Sequence, residues 1–289
     1  MIFGPVATDQ ALRAILAHAV RLPDRVLRKG RSLSEADLAA LAAAGIGEVI
    51  AARLERGDVP EDQAASRAAA CLVGEGISAG DAVTGRVNLF AERHGLLVLD
   101  PALIDRVNEV DEAITLATLA AYAPVAPRQM IATVKIIPFA VRDKTLERWE
   151  GQAPPLRVAP FRGRPVGLIQ TRLPGLKESV LDKTAEVTRA RLEALDSVLL
   201  AEHRVAHQGE AVTEAIRLML DRGAALVLIA GASAIVDRRD VIPAGITAAG
   251  GRIDYFGMPV DPGNLMLIGH IGEVPVLGLP GCARSPRLN

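Results

Sequence analysis

Aromatic side chains are scarce in this 289-residue chain: five phenylalanines, two tyrosines and one tryptophan make up 3% of it. So few rings leave little from which to build a stacking platform for single-stranded nucleic acid. No sign of charge dominates either, since 33 basic residues face 34 acidic ones. A near-neutral chain offers no broad field to DNA or to an anionic membrane surface. Neither a nucleic-acid nor a membrane partner is expected. Cysteine is limited to Cys71 and Cys282, and neither belongs to a Cys-x-x-Cys pair. No disulfide frame is therefore expected, and the thiol count suits a reducing, cytoplasmic setting. The longest apolar run, 224–236, is interrupted by Gly231 and Ser233 and falls short of the ~18 residues of a spanning helix. The N-terminus mixes acids, arginines and a histidine, without the basic-then-apolar order of a signal peptide. The chain has no phosphate-binding Gly-Lys-Ser/Thr loop, no Gly-x-Ser-x-Gly elbow and no Gly-x-Gly-x-x-Gly opening a helix.

What is present is apolar bulk: 50% of the residues are hydrophobic, enough to bury one large core or two smaller ones. Proline and arginine crowd residues 149–167, which reads as a linker or domain edge. Residues 1–150 read as a mixed α+β region. Ser34 stands three residues ahead of Asp37, a capping-box variant at the head of an alanine-rich helix. "GEVIAARL", "GLLVLD" and "MIATVKIIPFAV" read as strands, and the spacing of Leu103, Val107, Val110, Ile114 and Ala117 predicts one helix through the stretch they span.

Residues 165–289 alternate more regularly. Strands are expected at 165–171, 197–205 and 224–231. One helix begins near Leu181, and a second is closed by Gly223 just past its end. This β-α-β-α-β order implies a parallel sheet with right-handed crossovers. Three shorter strands follow, with a hairpin turn at "GHIGEVP". In open α/β sheets, ligands sit outside the carboxyl ends of the parallel strands. That rule singles out the loops 172–182, 206–210, 231–240 and 280–285.

The 231–240 loop carries the densest chemistry. Small residues from Gly231 to Ser233 would let backbone N–H groups approach a phosphate. Arg238 and Arg239 could grip an oxyanion in a fork, and Asp237 and Asp240 could hold Mg²⁺ or a ring N–H. The competing reading of Asp240 is an N-cap for a helix beginning at Val241. Asp182 and Lys183 admit the same pair of readings, a site or a helix start with a surface lysine. Around Pro280, Gly281, Arg284 and Ser285 the choice is between a phosphate at a helix start and a plain Pro-Gly turn. His203 and His207 lie on or beside a strand, where a separation of four does not make a zinc pair.

Three of these segments together resemble the molybdopterin-binding domain family, which includes molybdopterin adenylyltransferases and molybdenum insertases. The family's strand, glycine loop and Arg-Asp-Val-Thr-Pro run is similar to "LVLIAG" followed by Arg239-Asp240-Val241-Ile242-Pro243. Its Leu-Pro-Gly-x-Pro-x-Ser loop resembles Leu279-Pro280-Gly281-Cys282-Ala283-Arg284-Ser285, and its Asp-Lys resembles Asp182-Lys183. Residues 27–54 are weakly similar to the stretch that precedes this domain in the insertases.

The resemblance implies a three-layer α-β-α domain with a mostly parallel sheet over 165–289, cut short at its C-terminal end. It implies a pterin phosphate as ligand, other cofactor-biosynthesis proteins or molybdoenzymes as partners, and a homo-oligomer. An enzyme of this kind would transfer adenylyl from ATP with Mg²⁺ or insert molybdate. Asp182 and Asp240 would be catalytic and metal-side carboxylates, with Arg239 or Arg284 on the phosphates. The chain departs from the family where Gly-Gly-Thr-Gly becomes Gly231-Ala232-Ser233-Ala234, where Ser-Asp becomes Thr171-Arg172, and where an acidic residue is replaced near His207. Alanine adds bulk and disfavours φ > 0 where glycine is free of both limits. The alternatives are a cofactor carrier without catalysis and a regulatory module that senses pterin or molybdate.

Overall fold

The computed structural model describes residues 1–286; residues 287–289, the end of the expected second domain, lie outside the described residues. The chain is a mixed α/β protein that divides into two compact units, Met1–Pro160 and the residues from Phe161 onward.

The first unit is built from small antiparallel sheets and short helices. Ile2–Ala7, Glu48–Arg53 and Ile15–Leu16 form one sheet, backed by the helix Glu35–Ala43. That helix starts in a complete capping box: the Ser34 hydroxyl accepts the Asp37 N–H, and the Asp37 carboxylate accepts the Ser34 N–H. A second, four-stranded sheet holds Ile114–Thr118, Met130–Ile136, Arg86–Ala91 and Ile77–Ala79. Its core includes Leu72, Leu89, Val134 and Trp149.

Two features of this unit differ from the sequence reading. The expected long helix ends at Asn108, and Ile114–Thr118 is a strand. The Asn108 amide folds the chain back by donating to Leu116 O at 2.9 Å and accepting Leu116 N at 2.8 Å. Beyond it the burial alternates, with Ile114 and Leu116 in and Thr115 and Ala117 out. That is the period of a strand, and it overrides the three-and-four spacing. Of the two readings of the proline-rich 149–167 stretch, the boundary between the units falls within it, as at a domain edge, but the stretch is more ordered than a linker. Trp149 is fully buried at the end of the helix Asp143–Glu150, and Arg157–Pro160 pairs with Gly95–Val98.

The second unit runs β1 (Pro165–Arg172), α1 (Glu178–Glu193), β2 (Val198–Ala206), α2 (Gly209–Asp221), β3 (Leu226–Ala230), α3 (Val241–Ala248), β4 (Arg252–Phe256), β5 (Leu267–Ile271) and β6 (Val274–Leu279). The sheet order is β2-β1-β3-β6-β5-β4. β2, β1, β3 and β6 are parallel, while β5 and β4 complete the sheet antiparallel. α2 ends in the expected way, with Gly223 at φ +86° just past its last turn, a conformation glycine adopts without cost.

Alternate residues of the central strands face different helices. Val166, Leu168 and Leu228 pack with Ala185 and Leu192 of α1. Ile169, Val227 and Ile229 pack with Ile216 and Met219 of α2 and with Ile242 and Ile246 of α3. A strand covered on both sides reads as an unbroken apolar run. Burying each such side chain stabilises the fold by roughly 1.5–3 kcal/mol. Among the described residues, no helix is long and apolar enough to cross a membrane.

Candidate functional site

The parallel strands all point their carboxyl ends to one edge of the sheet, and the loops leaving that edge are tied together. Thr171, fully buried at the end of β1, is the central knot. Its hydroxyl accepts the Ala232 N–H at 2.7 Å, from the loop after β3. The same oxygen lies 2.8 Å from Nδ1 of His207, in the turn after β2. His207 N–H in turn donates to Arg172 O at 3.0 Å. The loop after β6 joins through Arg284, whose Nη2 donates to Gly231 O at 2.5 Å. The four loops singled out from strand order thus meet through side-chain and main-chain bonds.

The 231–240 loop is held from inside as well. Ile235 is buried, while Ser233, Ala234 and Val236 are exposed. At Gly231 a Cβ would stand 2.7 Å from Ile242 Cδ1 and 2.7 Å from Ser233 O. Glycine is needed there because the loop closes onto α3, whatever ligand it meets.

Asp240 is the N-cap of α3. Oδ1 accepts Val241 N–H at 2.7 Å, and Oδ2 accepts Val236 N–H at 3.2 Å. Each oxygen thus accepts one backbone N–H. Asp237 accepts the N–H and Nε–H of Arg239 at 2.8 and 2.9 Å, and this pairing lowers its pKa below the ordinary aspartate value. The Arg239 side chain is 92% exposed. Arg238 stacks over the Phe256 ring, 5.5 Å from its centre.

Asp182 and Lys183 lie in the early part of α1. Asp182 belongs to a charge network with Arg204 of β2 at its centre. Arg204 donates to Glu202 at 2.6 Å, to Glu178 at 2.7 Å and to Asp182 at 2.7 Å. Glu178 also accepts from Arg172 at 3.0 Å. The bond from Arg204, with help from Arg172, holds the Glu178 carboxyl below its ordinary pKa. Beneath this network lies Gln170, fully buried, whose Nε2 donates to Leu181 O at 2.9 Å and Glu202 at 2.8 Å. Its Oε1 is buried without a partner among the described residues. Lys183 is exposed.

Gly281–Arg284 forms a short 3-10 turn after the buried Pro280. Arg191 of α1 fastens it, donating to Ala283 O at 2.5 Å and Ser285 O at 2.6 Å. Asp182 and Asp240, the pair expected to hold Mg²⁺, are each committed elsewhere, one to Arg204 and one to backbone amides. No group of three His, Cys, Asp or Glu that could hold a metal occurs among the described residues. As bonded here, Asp182 and Asp240 are turned to Arg204 and to backbone N–H groups rather than held open towards a resident Mg²⁺.

Sequence reasoning placed Gly231, Ser233, Asp237, Arg238, Arg239, Asp240 and Arg284 around this edge. It missed the joining residues, Thr171 and His207, and the Gln170–Arg204 network. The signal was available in "PVGLIQT", where Gln170 and Thr171 interrupt an apolar central strand, because a polar group buried in a core must find a partner.

Residues 5–53 match a family described as a domain of unknown function, DUF8806. No curated protein matches the chain. Solved structures similar to it include the molybdopterin biosynthesis MoeA protein of Pyrococcus horikosii, 14% identical at a TM-score of 0.31, over 77% of this chain and 74% of that one. A CinA protein of unknown function from Thermoplasma acidophilum is 17% identical at a TM-score of 0.34, over 42% of this chain and 90% of that one. A molybdenum cofactor biosynthesis protein of Pyrococcus furiosus is 14% identical at a TM-score of 0.27, over 98% of this chain and 59% of that one. Likenesses this loose assign this chain neither a fold family nor an activity.

Proposed function

We propose that the second unit binds a phosphorylated pterin of the molybdopterin type at the carboxyl edge of its parallel strands, as a three-layer α-β-α binding module of molybdenum cofactor biosynthesis. The observation that carries this reading is the junction in which Thr171 joins His207 and Ala232 while Arg284 joins Gly231. It gathers four strand-end loops where open α/β sheets bind ligands. The resemblance of Arg239-Asp240-Val241-Ile242-Pro243, Leu279–Ser285 and Asp182-Lys183 to the molybdopterin-binding family supplies the ligand class. Arg172, Arg238, Arg239 and Lys183 are exposed around that edge and suit a phosphate. The same reading makes the chain a cytoplasmic homo-oligomer that hands pterin to other cofactor-biosynthesis proteins or molybdoenzymes. The first unit, read from sequence as 1–150, precedes the binding domain.

Binding without adenylyl transfer is favoured over catalysis. A transferase using Mg²⁺ and ATP needs free carboxylates for the metal. Here Asp240 caps α3 and Asp182 pairs with Arg204.

Anaerobic calorimetry with molybdopterin tests the proposal, followed by addition of Mg²⁺ and ATP and chromatography of the pterin. Saturable binding that Arg172→Ala and Arg239→Ala weaken, with no adenylylated product, is expected. Absence of pterin binding by the folded protein overturns the binding reading, and product formation restores the transferase.

A further inference from the structure

We propose that the first unit carries a second small-molecule site, for an organic anion with a flat apolar body. Its seat is a cavity of about 690 Å³ whose walls include Phe3, Lys29, Glu61, Lys135, Ile137 and Phe139. A concave site of several hundred cubic ångströms, mostly apolar with a few placed polar groups, is the usual form of a ligand pocket.

The apolar part of the wall is unusually open to solvent. Phe3 is 57% exposed and Ile137 59%, and exposed rings and branched side chains gathered in one cavity call for a covering group. The polar part carries an imbalance of charge. Lys135 Nζ donates to Thr84 O and lies 3.9 Å from the Glu61 carboxylate. Lys29 Nζ stands over the Phe139 ring, 5.9 Å from its centre, at cation–π distance. Both ammonium groups act on Glu61, whose carboxyl burial pushes above its ordinary pKa. Asp62 is turned to the Gly85 N–H at 2.6 Å, and the Met1 ammonium at the cavity edge is already paired with Glu55 and Asp58. Two lysines therefore face one carboxylate, and among the described residues one positive charge is left without a counter-charge beside an apolar wall. Thr84, held at φ +50°, presents the carbonyl that fixes Lys135.

A ligand that completes this site has one anionic group for Lys29 and Lys135 and a flat apolar body for Phe3, Ile137 and Phe139. A bare inorganic anion leaves the wall uncovered, and a neutral ring leaves the charge unmatched. Both are therefore controls.

The probe is 8-anilinonaphthalene-1-sulfonate, followed by its fluorescence on the intact chain, with N-phenyl-1-naphthylamine as the uncharged counterpart and inorganic phosphate as competitor. One saturable site per chain is expected. A lost hydrogen bond to a charged group should weaken it about tenfold in Lys29→Met, with Lys29→Arg restoring it. Ile137→Ser should weaken it as well, the uncharged counterpart should bind more weakly than the probe, and phosphate should compete poorly. Lys29 and Ile137 are both exposed, so their variants should keep the wild-type circular dichroism and melting curve. Equal affinity of Lys29→Met and the wild type, or of the charged and uncharged probes, overturns the proposal. Neither outcome bears on pterin binding by the second unit.

Discussion

The Thr171 hydroxyl lies 2.8 Å from His207 Nδ1 while it accepts the Ala232 N–H. A hydroxyl has one proton to give. The Ala232 N–H fills one of its two lone pairs, and the contact with Nδ1 uses either that proton or the second lone pair, as the imidazole tautomer sets. The loops after β1, β2 and β3 are thus locked by one small side chain of the right polarity.

Replacing Thr171 by valine keeps the shape and removes both bonds. The stranded Ala232 N–H and Nδ1 should cost about 1–3 kcal/mol, seen as a lower urea midpoint. Exchange of the Ala232 amide should quicken more than that of the Ile229 amide. Thr171→Ser should keep most of the stability. A valine variant with an unchanged midpoint would show that the knot contributes nothing.

Asp240→Ala removes the cap of α3. The expected loss is about 1 kcal/mol, because Val241 N–H and Val236 N–H lose their acceptor. Asp240→Asn keeps one oxygen and should lose less. Pterin affinity measured alongside gives the discriminating result. If Asp240→Ala abolishes binding at unchanged stability, the carboxylate meets the ligand and the capping account is wrong.

The wiring of the second unit was legible because its signals are local. Unbroken apolar runs mark strands covered on both faces, Gly223 marks a helix end, and strand order alone pointed to the carboxyl edge. The roles of individual residues were less legible. Asp240 looks the same in sequence whether it caps a helix or holds a metal, and only its two backbone partners separate the cases. Gly231 read as a cradle for phosphate, yet the atoms beside it belong to Ile242 and Ser233. In the first unit, Asn108 reversed a helical pattern through bonds to Leu116. That contact joins residues eight apart, which the three-and-four spacing does not show.

Gly231→Ala tests the packing account of that glycine. A Cβ 2.7 Å from both Ile242 Cδ1 and Ser233 O forces a shift, and overpacking of this kind costs roughly 1–3 kcal/mol. Ile242→Val removes the Cδ1 atom, so part of the loss should return in the double variant. A double-mutant cycle by chemical denaturation reads that coupling. Purely additive effects would mean that the two side chains do not meet.

The capping box of the first unit makes an acid-sensitive contribution. The Arg31 side chain, bonded at 2.9 Å, leads the effects that bring the Asp37 carboxyl down to about 2, aided by bonds from Ser34. The Asp37 side chain is 1% exposed and that of Arg31 49%, so solvent screens part of this from the arginine side. A carboxyl whose folded pKa is depressed stabilises the fold above its unfolded pKa and loses that stabilisation as pH falls through the folded one. Asp37 should therefore contribute its full share above about pH 4 and lose it progressively towards pH 2, a span worth about 2 kcal/mol. Denaturation midpoints of wild type and Asp37→Asn, followed from pH 6 to 2, give the measurement. The variant should be less stable at neutral pH and should approach the wild type at the acid end. Parallel curves across that range would place the acid-labile charge elsewhere, because a group that does not titrate between the two states cannot bend the difference between them.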